Sequence, residues 1–260
     1  MDPTIIQSWL ITWALTAPRI LVAFAVLPIL TDPVIPTNLR NGVILILSLF
    51  VLPLTHEQFL LLQPDVLKLI VLAIKEGILG LFIGYLLSIP FWALKATGFL
   101  IDMQRGVMSA LFYSHVTANT VSPIGNFFSL LLTVLLLVTG GFLSLLKTLY
   151  LSYVTWPIDQ LLPSLSLQTA DFFLQQMDTL MYTTLLLAGP IIIIMFLIDL
   201  GLGLVGRFLP QLNIFIVAMP IKSAVAFFML IFYIVYIADY LKANFFKMEQ
   251  SLAMLEHLLP

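Results

Sequence analysis

Six long apolar runs, separated by short polar stretches, limit the fold of this chain more than any other feature of its sequence. They cover residues 9–30, 42–62, 66–99, 124–146, 180–198 and 212–238. A helix of about 20 residues crosses the hydrocarbon core of a bilayer, and the runs are close to that length or longer. They are too long for strands and lack a period of two, so they predict helices. We therefore expect an all-α membrane-complex protein of long hydrophobic helices arranged as helical hairpins.

The composition excludes several functional classes. Hydrophobic residues make up 61% of the chain and charged residues only 9%, whereas soluble domains carry about 25% charged residues. So little polar surface cannot cover a large core in water. The chain contains no cysteine, which excludes disulfides and thiolate metal sites. It also lacks a run of lysine and arginine residues, so we expect no nucleic-acid partner.

The basic residues of the connections do not orient the predicted helices. Cytoplasmic loops of membrane proteins normally carry an excess of lysine and arginine. Lys68, Lys147, Lys242 and Lys247 fall on one side of the predicted helices, and Arg40, Lys95, Arg105 and Arg207 fall on the other. Conventional polytopic transporters are less evenly balanced. Either the segment boundaries differ, or the chain does not lie in lipid in the ordinary way.

Charged residues also lie inside the apolar runs. Arg19 and Lys222 are near the middle of the first and last runs, and Lys75 and Glu76 lie well inside the third. Each charge costs about 2.5 to 3.5 kcal/mol at the centre of a membrane helix, so we expect these side chains to face protein, water or one another. Two interpretations stay open: structural ion pairs, or a polar path or buried subunit interface.

A stripe of small residues follows Glu76 along the third run. Glu76, Gly80 and Gly84 are spaced at four-residue intervals, so they lie on one face of a helix. Small residues at such positions let two helix backbones approach closely in membrane proteins. With the carboxylate in line, the stripe predicts a buried helix–helix contact.

A glycine-rich string follows the fifth run. Gly201, Gly203 and Gly206 match the spacing of a dinucleotide-binding turn, but that turn requires a preceding strand, and here a long helical run precedes it. We therefore predict that the glycines cap a helix and form a tight turn. Asp199 and Arg207 flank the glycines and are candidates to pair across this turn.

The motifs of both halves form an ordered set. In the second half they are Gly189-Pro190, Asp199, Gly201, Arg207, Pro210-Gln211, Asn213, Pro220 and Lys222. In the first half they are Arg19, Pro33, Pro36, Arg40, Pro53, Lys75-Glu76-Gly77, Gly80, Gly84 and Asp102–Gly106. This set resembles the FliR/SctT family, also called SpaR/YscT, of type III secretion export-apparatus proteins. The resemblance covers almost the whole chain, although residues 107–122 are richer in aromatic and small residues than the family pattern.

This resemblance implies a structural and conducting subunit of a protein export gate at the base of a flagellum or a virulence injectisome, with no enzymatic activity and no cofactor. It implies an entry portal in the bacterial inner membrane, built with SctR/FliP-like and SctS/FliQ-like partners. An SctU/FlhB-like protein, needle or rod subunits and secreted protein substrates are further implied partners. Family members wind into a pseudo-helical assembly raised largely out of the bilayer, which would explain the balanced basic residues. The implied buried polar or interface positions are Arg19, Lys75, Glu76, Gly80, Gly84, Asp199, Arg207, Gln211, Asn213 and Lys222.

The connection between the third and fourth runs is the candidate for a channel plug. By the same resemblance, residues 106–123 project into the channel lumen, and an ordinary loop is the equally weighted alternative. The candidate plug residues are Gly106, Met108, Phe112, Tyr113 and Asn119. We expect one helical export-gate domain over residues 1–238. Residues 239–260 then form an amphipathic tail, because their apolar residues recur every three or four positions.

A polytopic secondary transporter is the alternative function, with Lys75, Glu76 and Lys222 as a coupling-ion or proton path. Transporters normally contain internal repeats, and none stands out in this sequence. An enzyme has the least support, because the histidines are isolated and neither H-E-x-x-H nor G-x-S-x-G occurs. The export gate is therefore the function that the sequence favours.

Overall fold

The computed structural model describes residues 3–29, 36–60, 65–107, 122–160, 167–209, 211 and 213–258. Within these residues the regular structure is entirely helical, which confirms the predicted all-α class. The helices are α1 (Pro3–Val26), α2 (Thr37–Leu49), α3 (Leu52–Leu60), α4 (Val66–Arg105), α5 (Pro123–Val138), α6 (Gly141–Thr155), α7 (Leu167–Phe208) and α8 (Ile214–Leu258).

Two of the predicted continuous runs are broken into pairs of helices. The run 42–62 contains most of α2 and all of α3, which meet at 59°. The run 124–146 contains nearly all of α5 and part of α6, which meet at 78°. At the second break Gly140 has φ 77°, a left-handed conformation that side chains other than glycine rarely adopt. Hydropathy stays high across both breaks and did not reveal them, although Gly140-Gly141 at the second break and Pro53 after the first are local turn signals.

Helix α7 continues through the glycine-rich string. The prediction that these glycines cap a helix is wrong, because Gly201, Gly203 and Gly206 all lie inside α7. A single glycine in a helix costs only about 1 kcal/mol relative to alanine, which tertiary packing easily offsets. Gly206 is positioned where a Cβ atom would overlap the Ile214 side chain at the start of α8. The glycine therefore leaves room for the Ile214 side chain in this position.

Three helices are long and apolar enough to cross a membrane by themselves. They contain the segments Ile5–Val26, Gln168–Phe208 and Ile214–Leu241, and the number rises to five if each bent pair is counted as one span. These counts refer to the described ranges. The chain is therefore an all-α membrane protein, as predicted.

The chain divides into two compact units. Unit 1 comprises Met1–Ile89, Leu136–Gln176 and Phe245–Pro260, and unit 2 comprises Pro90–Leu135 and Met177–Asn244. The core of unit 1 includes the buried residues Ile20, Phe24, Leu72, Ile83 and Leu149. The core of unit 2 includes Phe91, Ile101, Phe128, Leu187 and Met195. The predicted tail is helical in its backbone as far as Leu258 and continues α8 without a break.

Candidate functional site: buried ion-pair clusters

A fully buried ion pair joins α1 to α4 within unit 1. Arg19 Nε donates to Glu76 Oε2 at 2.6 Å, and Arg19 Nη2 donates to Glu76 Oε1 at 2.9 Å. Both side chains have 0% exposure. The two parallel hydrogen bonds form the bidentate geometry that gives arginine–carboxylate pairs both strength and orientation. The charges predicted from sequence to avoid lipid are thus placed against each other.

A second cation completes this cluster. Lys75 Nζ lies 2.6 Å from Glu76 Oε1 and donates to the carbonyl oxygens of Pro157 at 2.9 Å and Ile158 at 3.3 Å. One carboxylate therefore serves two cations, and backbone carbonyls accept the remaining donors. Lys75 can be buried because the Glu76 carboxylate and the two carbonyl oxygens accept the hydrogen bonds that water would otherwise accept.

The C-terminal end of α6 supplies more of these carbonyls. Arg19 donates to the carbonyl oxygens of Ser152 at 2.7 Å and Trp156 at 2.8 Å, and its guanidinium lies 4.0 Å from the centre of the Tyr153 ring. The Ser152 carbonyl also accepts from the Trp156 amide at 2.9 Å, and carbonyls at the C-terminal end of a helix carry partial negative charge. The unit 1 cluster, defined as Arg19, Lys75 and Glu76, therefore ties α1, α4 and α6 together.

The glycine stripe of α4 lies against α1. A Cβ atom at Gly80 would overlap the Arg19 carbonyl, and one at Gly84 would lie 2.7 Å from the Ala23 carbonyl oxygen. Ser88 Oγ continues this contact by donating to the Val26 carbonyl at 3.1 Å. The contacting residue numbers rise together in both helices, so the two segments run parallel.

Sequence reasoning missed a buried ladder of hydroxyl groups along α1. Thr12 Oγ1 lies 3.2 Å from His56 Nδ1, Thr16 Oγ1 donates to Thr55 Oγ1 at 3.0 Å, and the Tyr153 hydroxyl donates to the Thr16 carbonyl at 2.7 Å. Thr12 and Thr16 fall four residues apart, which is the one signal in the sequence that places them on a common face. The ladder holds α1 to α3 and α6 within unit 1.

A second ion pair lies in unit 2. Lys222 Nζ on α8 lies 2.6 Å from Asp199 Oδ1 on α7 and donates to the Gln104 carbonyl at 3.1 Å. The Gln104 amide also donates to Asp199 Oδ2 at 3.3 Å. Asp199 has 36% of its side chain exposed and Lys222 13%. This pair is therefore more accessible than the unit 1 cluster.

The predicted pairing of Asp199 with Arg207 is wrong. Both residues lie on the continuous helix α7, where eight residues correspond to a rise of about 12 Å. Arg207 is exposed at the end of the helix, and Gln211 and Asn213 are exposed in the turn that follows. The predicted turn thus begins at Leu209 and not at the glycines.

Asp102 forms a third cluster, in unit 2, that sequence reasoning did not single out as a site. Its Oδ1 accepts from Arg105 Nη2 at 2.5 Å, and its Oδ2 accepts from Ser122 Oγ at 2.6 Å and from the Ile124 amide at 2.9 Å. Asp102 has 1% exposure. The signals in the sequence were an Asp with an Arg three residues later and a Ser-Pro pair, which are typical of an intrahelical ion pair and of a helix start.

The candidate plug is only partly described. Gly106 has φ 85°, and a Cβ atom there would lie 3.3 Å from the Met219 side chain. Met108, Phe112, Tyr113 and Asn119 lie outside the described residues. In the described part of the chain, no group of three or more His, Asp or Glu side chains is placed to hold a metal ion.

The long apolar helices and their buried ion pairs define an all-α membrane protein, and comparison of the sequence with known families gives its family. Residues 10–248 match the family described as bacterial export proteins, family 1, and the chain belongs to that family. The predicted resemblance to the FliR/SctT family is thereby confirmed. Because this is a family of export-apparatus components, the prediction that the chain is not an enzyme is confirmed as well.

Individual relatives come from both secretion and flagellar systems. The chain is 40% identical over 234 residues to the Yop proteins translocation protein T of Yersinia pestis, which covers 90% of this chain and 89% of the relative. It is 34% identical over 221 residues to the secretion system apparatus protein SsaT of Salmonella typhimurium, with 84% and 85% covered. It is 32% identical over 161 residues to the flagellar biosynthetic protein FliR of Bacillus subtilis, with 62% of each chain covered.

Proposed function

We propose that this chain is a structural and conducting subunit of a type III protein export gate. In this proposal it forms the entry portal of the bacterial inner membrane with SctR/FliP-like and SctS/FliQ-like proteins. An SctU/FlhB-like protein and needle or rod subunits are its further neighbours, and unfolded secreted proteins pass through the gate. Membership of the export family, with relatives named for translocation, secretion and flagellar biosynthesis, supports this role.

The length of the last two helices carries the proposal. Helix α7 has 42 residues and α8 has 45, which correspond to about 63 and 68 Å of helix. A hydrocarbon core is about 30 Å thick, and even a tilt of about 40° leaves a 63 Å helix spanning about 48 Å. Lipid can therefore cover only part of either helix. Water, headgroups or other proteins must surround the rest.

Other proteins are the best candidates for the remaining surface of α7, because it is apolar. The large exposed apolar side chains of α7 run from Leu174 to Phe208, about 51 Å of helix, which is more than a hydrocarbon core covers. On α8 those of the described side chains run from Phe215 to Tyr236, about 32 Å, which lipid alone could cover. Monomeric soluble proteins rarely leave such continuous apolar surface in water. Subunits with matching apolar helices would cover it, as the proposed portal partners would do.

The charge distribution is also in keeping with an assembly that rises out of the bilayer. Glu76 neutralises Arg19 and Lys75 inside unit 1, and Asp199 pairs with Lys222 inside unit 2. The fully buried charges of unit 1 therefore bring no cost of exposure to lipid, and pairing lowers that cost for the partly exposed Asp199 and Lys222. A proton or ion path through the unit 1 cluster is less well supported, because backbone carbonyls already accept from both cations.

The plug remains part of the proposal. We assign residues 106–123 to the lumen of the assembled channel by their resemblance to the family, with Met108, Phe112 and Tyr113 closing the pore. Deleting residues 110–118 should raise the leak of ions or small dyes through assembled gates in membrane vesicles. An unchanged leak in assembled complexes would remove the plug from the proposal.

Isolation of the protein from its native membrane tests the assembly. A tagged copy, expressed at its normal level and extracted in mild detergent, should bring down two other small hydrophobic proteins in constant proportion, identified by mass spectrometry. A tagged, unrelated polytopic protein from the same membrane is the control for non-specific recovery. A monomer or a homo-oligomer that binds a small solute would instead support the transporter.

A further inference from the structure

One carboxylate contacts both ends of the connection between α4 and α5. At the end of α4, Asp102 Oδ1 accepts from Arg105. At the start of α5, Asp102 Oδ2 accepts from the Ser122 hydroxyl and the Ile124 amide. Ser122 Oγ in turn accepts from the Gly125 amide at 2.9 Å, so the first turn of α5 is capped. The two described ends of this connection therefore contact a single buried side chain.

Close packing of the two backbones brings the carboxylate within reach. A Cβ atom at Gly98 would overlap the backbone of Gly125, and one at Gly125 would lie 3.0 Å from the Lys95 carbonyl oxygen. Glycine at both positions lets α5 begin directly against α4. Asp102 lies one helical turn beyond Gly98 on α4, so its carboxylate lies beside the first residues of α5, where it contacts Ser122 and Ile124.

The end of α4 is itself held by α7 and α8. Lys222 donates to the Gln104 carbonyl, and the Gln104 amide donates to Asp199. The Arg105 guanidinium lies 4.9 Å from the centre of the Phe227 ring. The last turn of α4 therefore has fixed neighbours on both long helices of unit 2, and Asp102 extends this fixed frame to α5.

We infer that Asp102 is a positioning residue that holds the start of α5 against the end of α4 and thereby sets the resting leak of the gate. The effect on leak rests on the proposed function, whereas the effect on the two helix ends does not. An aspartate suits this position because its two oxygens accept three hydrogen bonds. Asparagine offers one acceptor oxygen and brings an amide that cannot accept from Arg105 or Ser122.

Spin labels test the positioning directly. The chain has no cysteine, so Met103→Cys and Asn126→Cys provide two unique labelling sites on exposed residues at the end of α4 and near the start of α5. In the otherwise unchanged protein the labels should show strong dipolar broadening. Adding Asp102→Ala should weaken and spread this broadening, while Asp178→Asn, at an exposed carboxylate on α7, should leave it unchanged. Equal spectra for Asp102→Ala and Asp178→Asn would overturn the inference.

Leak measurements link the positioning to the gate. In assembled complexes, Asp102→Ala should raise dye or ion leak about tenfold, the factor that corresponds to about 1.4 kcal/mol in a two-state equilibrium. Ser122→Ala removes one of the three hydrogen bonds and should give a smaller rise, and it serves as the test if Asp102→Ala does not assemble. A deletion of residues 110–118 is measured in parallel.

The outcomes separate the two claims. If the deletion raises leak but neither Asp102→Ala nor Ser122→Ala does, the inferred control of leak by Asp102 is wrong and the plug proposal stands. If the deletion has no effect, the plug proposal fails. The spin-label spectra then decide by themselves whether Asp102 positions α5.

Discussion

Glu76 is the residue on which the unit 1 cluster depends. Among the residues that the structure describes, it is the one carboxylate that contacts both Arg19 and Lys75, and all three side chains have at most 2% exposure. Burying a pair of charges is often no more favourable than burying apolar groups, but removing one partner leaves an uncompensated charge at a cost of about 3 to 5 kcal/mol. The stability of the protein should therefore be sensitive to substitutions in this cluster.

Neutralising Glu76 should strongly destabilise the protein. Glu76→Gln removes the carboxylate that contacts both buried cations, so we expect a loss of about 3 to 5 kcal/mol, seen as a lower thermal unfolding midpoint in detergent and a lower level in membranes. Glu57→Gln applies the same chemical change to an exposed residue of α3 and is the matched control. Equal stability of the two variants would show that the cluster is not the support we describe.

The effects of substitutions at Asp199 and Lys222 on assembly should be coupled, because the two side chains form an ion pair. Reversing either charge, by Asp199→Lys or Lys222→Asp, should reduce assembly, and combining both should restore part of it. Because Asp199 is partly exposed, the coupling should be modest, about 1 kcal/mol. Arg207→Asp, combined with Asp199→Lys, should restore nothing. Recovery with Arg207 and not with Lys222 would contradict the observed pairing.

At the scale of helices, close contact between α1 and α4 requires glycine at defined positions. A side chain at Gly80 meets the Arg19 backbone, whereas a Cβ atom at Gly77 would make only an ordinary contact with Val22 at 3.9 Å. Gly80→Ala should therefore cost about 1 to 3 kcal/mol through overpacking. Gly77→Ala should be neutral or slightly stabilising, because alanine favours helix. Unfolding midpoints of the two variants test this, and a neutral Gly80→Ala would contradict the packing.

The helices themselves were largely predictable, because long apolar runs permit few alternatives. The breaks at Gly140 and after Leu49 were not, because the prediction followed hydropathy, which stays high across both, and did not use Gly140-Gly141 and Pro53 as turn signals. The glycine-rich string led to the opposite error, because it predicted a helix end where α7 continues. Its glycines resemble a helix cap, but the local cost of glycine in α7 is small compared with the packing available over 42 residues.

Pairings were harder to predict than elements. The stripe from Glu76 to Gly84 predicted a close helix contact, and the structure places α1 there. The sequence could not identify the partner of Asp199, because Lys222 lies 23 residues away on another helix while Arg207 is nearer in the chain. Asp102 drew attention only as part of a family motif. Its importance depends on Ser122 and Ile124, which only the folded chain brings to it.

At the scale of the whole molecule, the internal charges are paired while the longest helices keep apolar surface exposed. This combination is expected of a subunit whose partners complete its surface. The central claim is therefore that other export-gate subunits cover α7 and α8.

Photo-crosslinking in cells that carry the complete export system tests this claim most directly. A benzophenone amino acid replaces Phe196, which is 52% exposed on α7, and in a control it replaces Phe128, which is buried in unit 2. The account predicts adducts between position 196 and another small hydrophobic membrane protein, and none from position 128. Position 196 yielding no protein adduct, or adducts only with further copies of this chain, would contradict it.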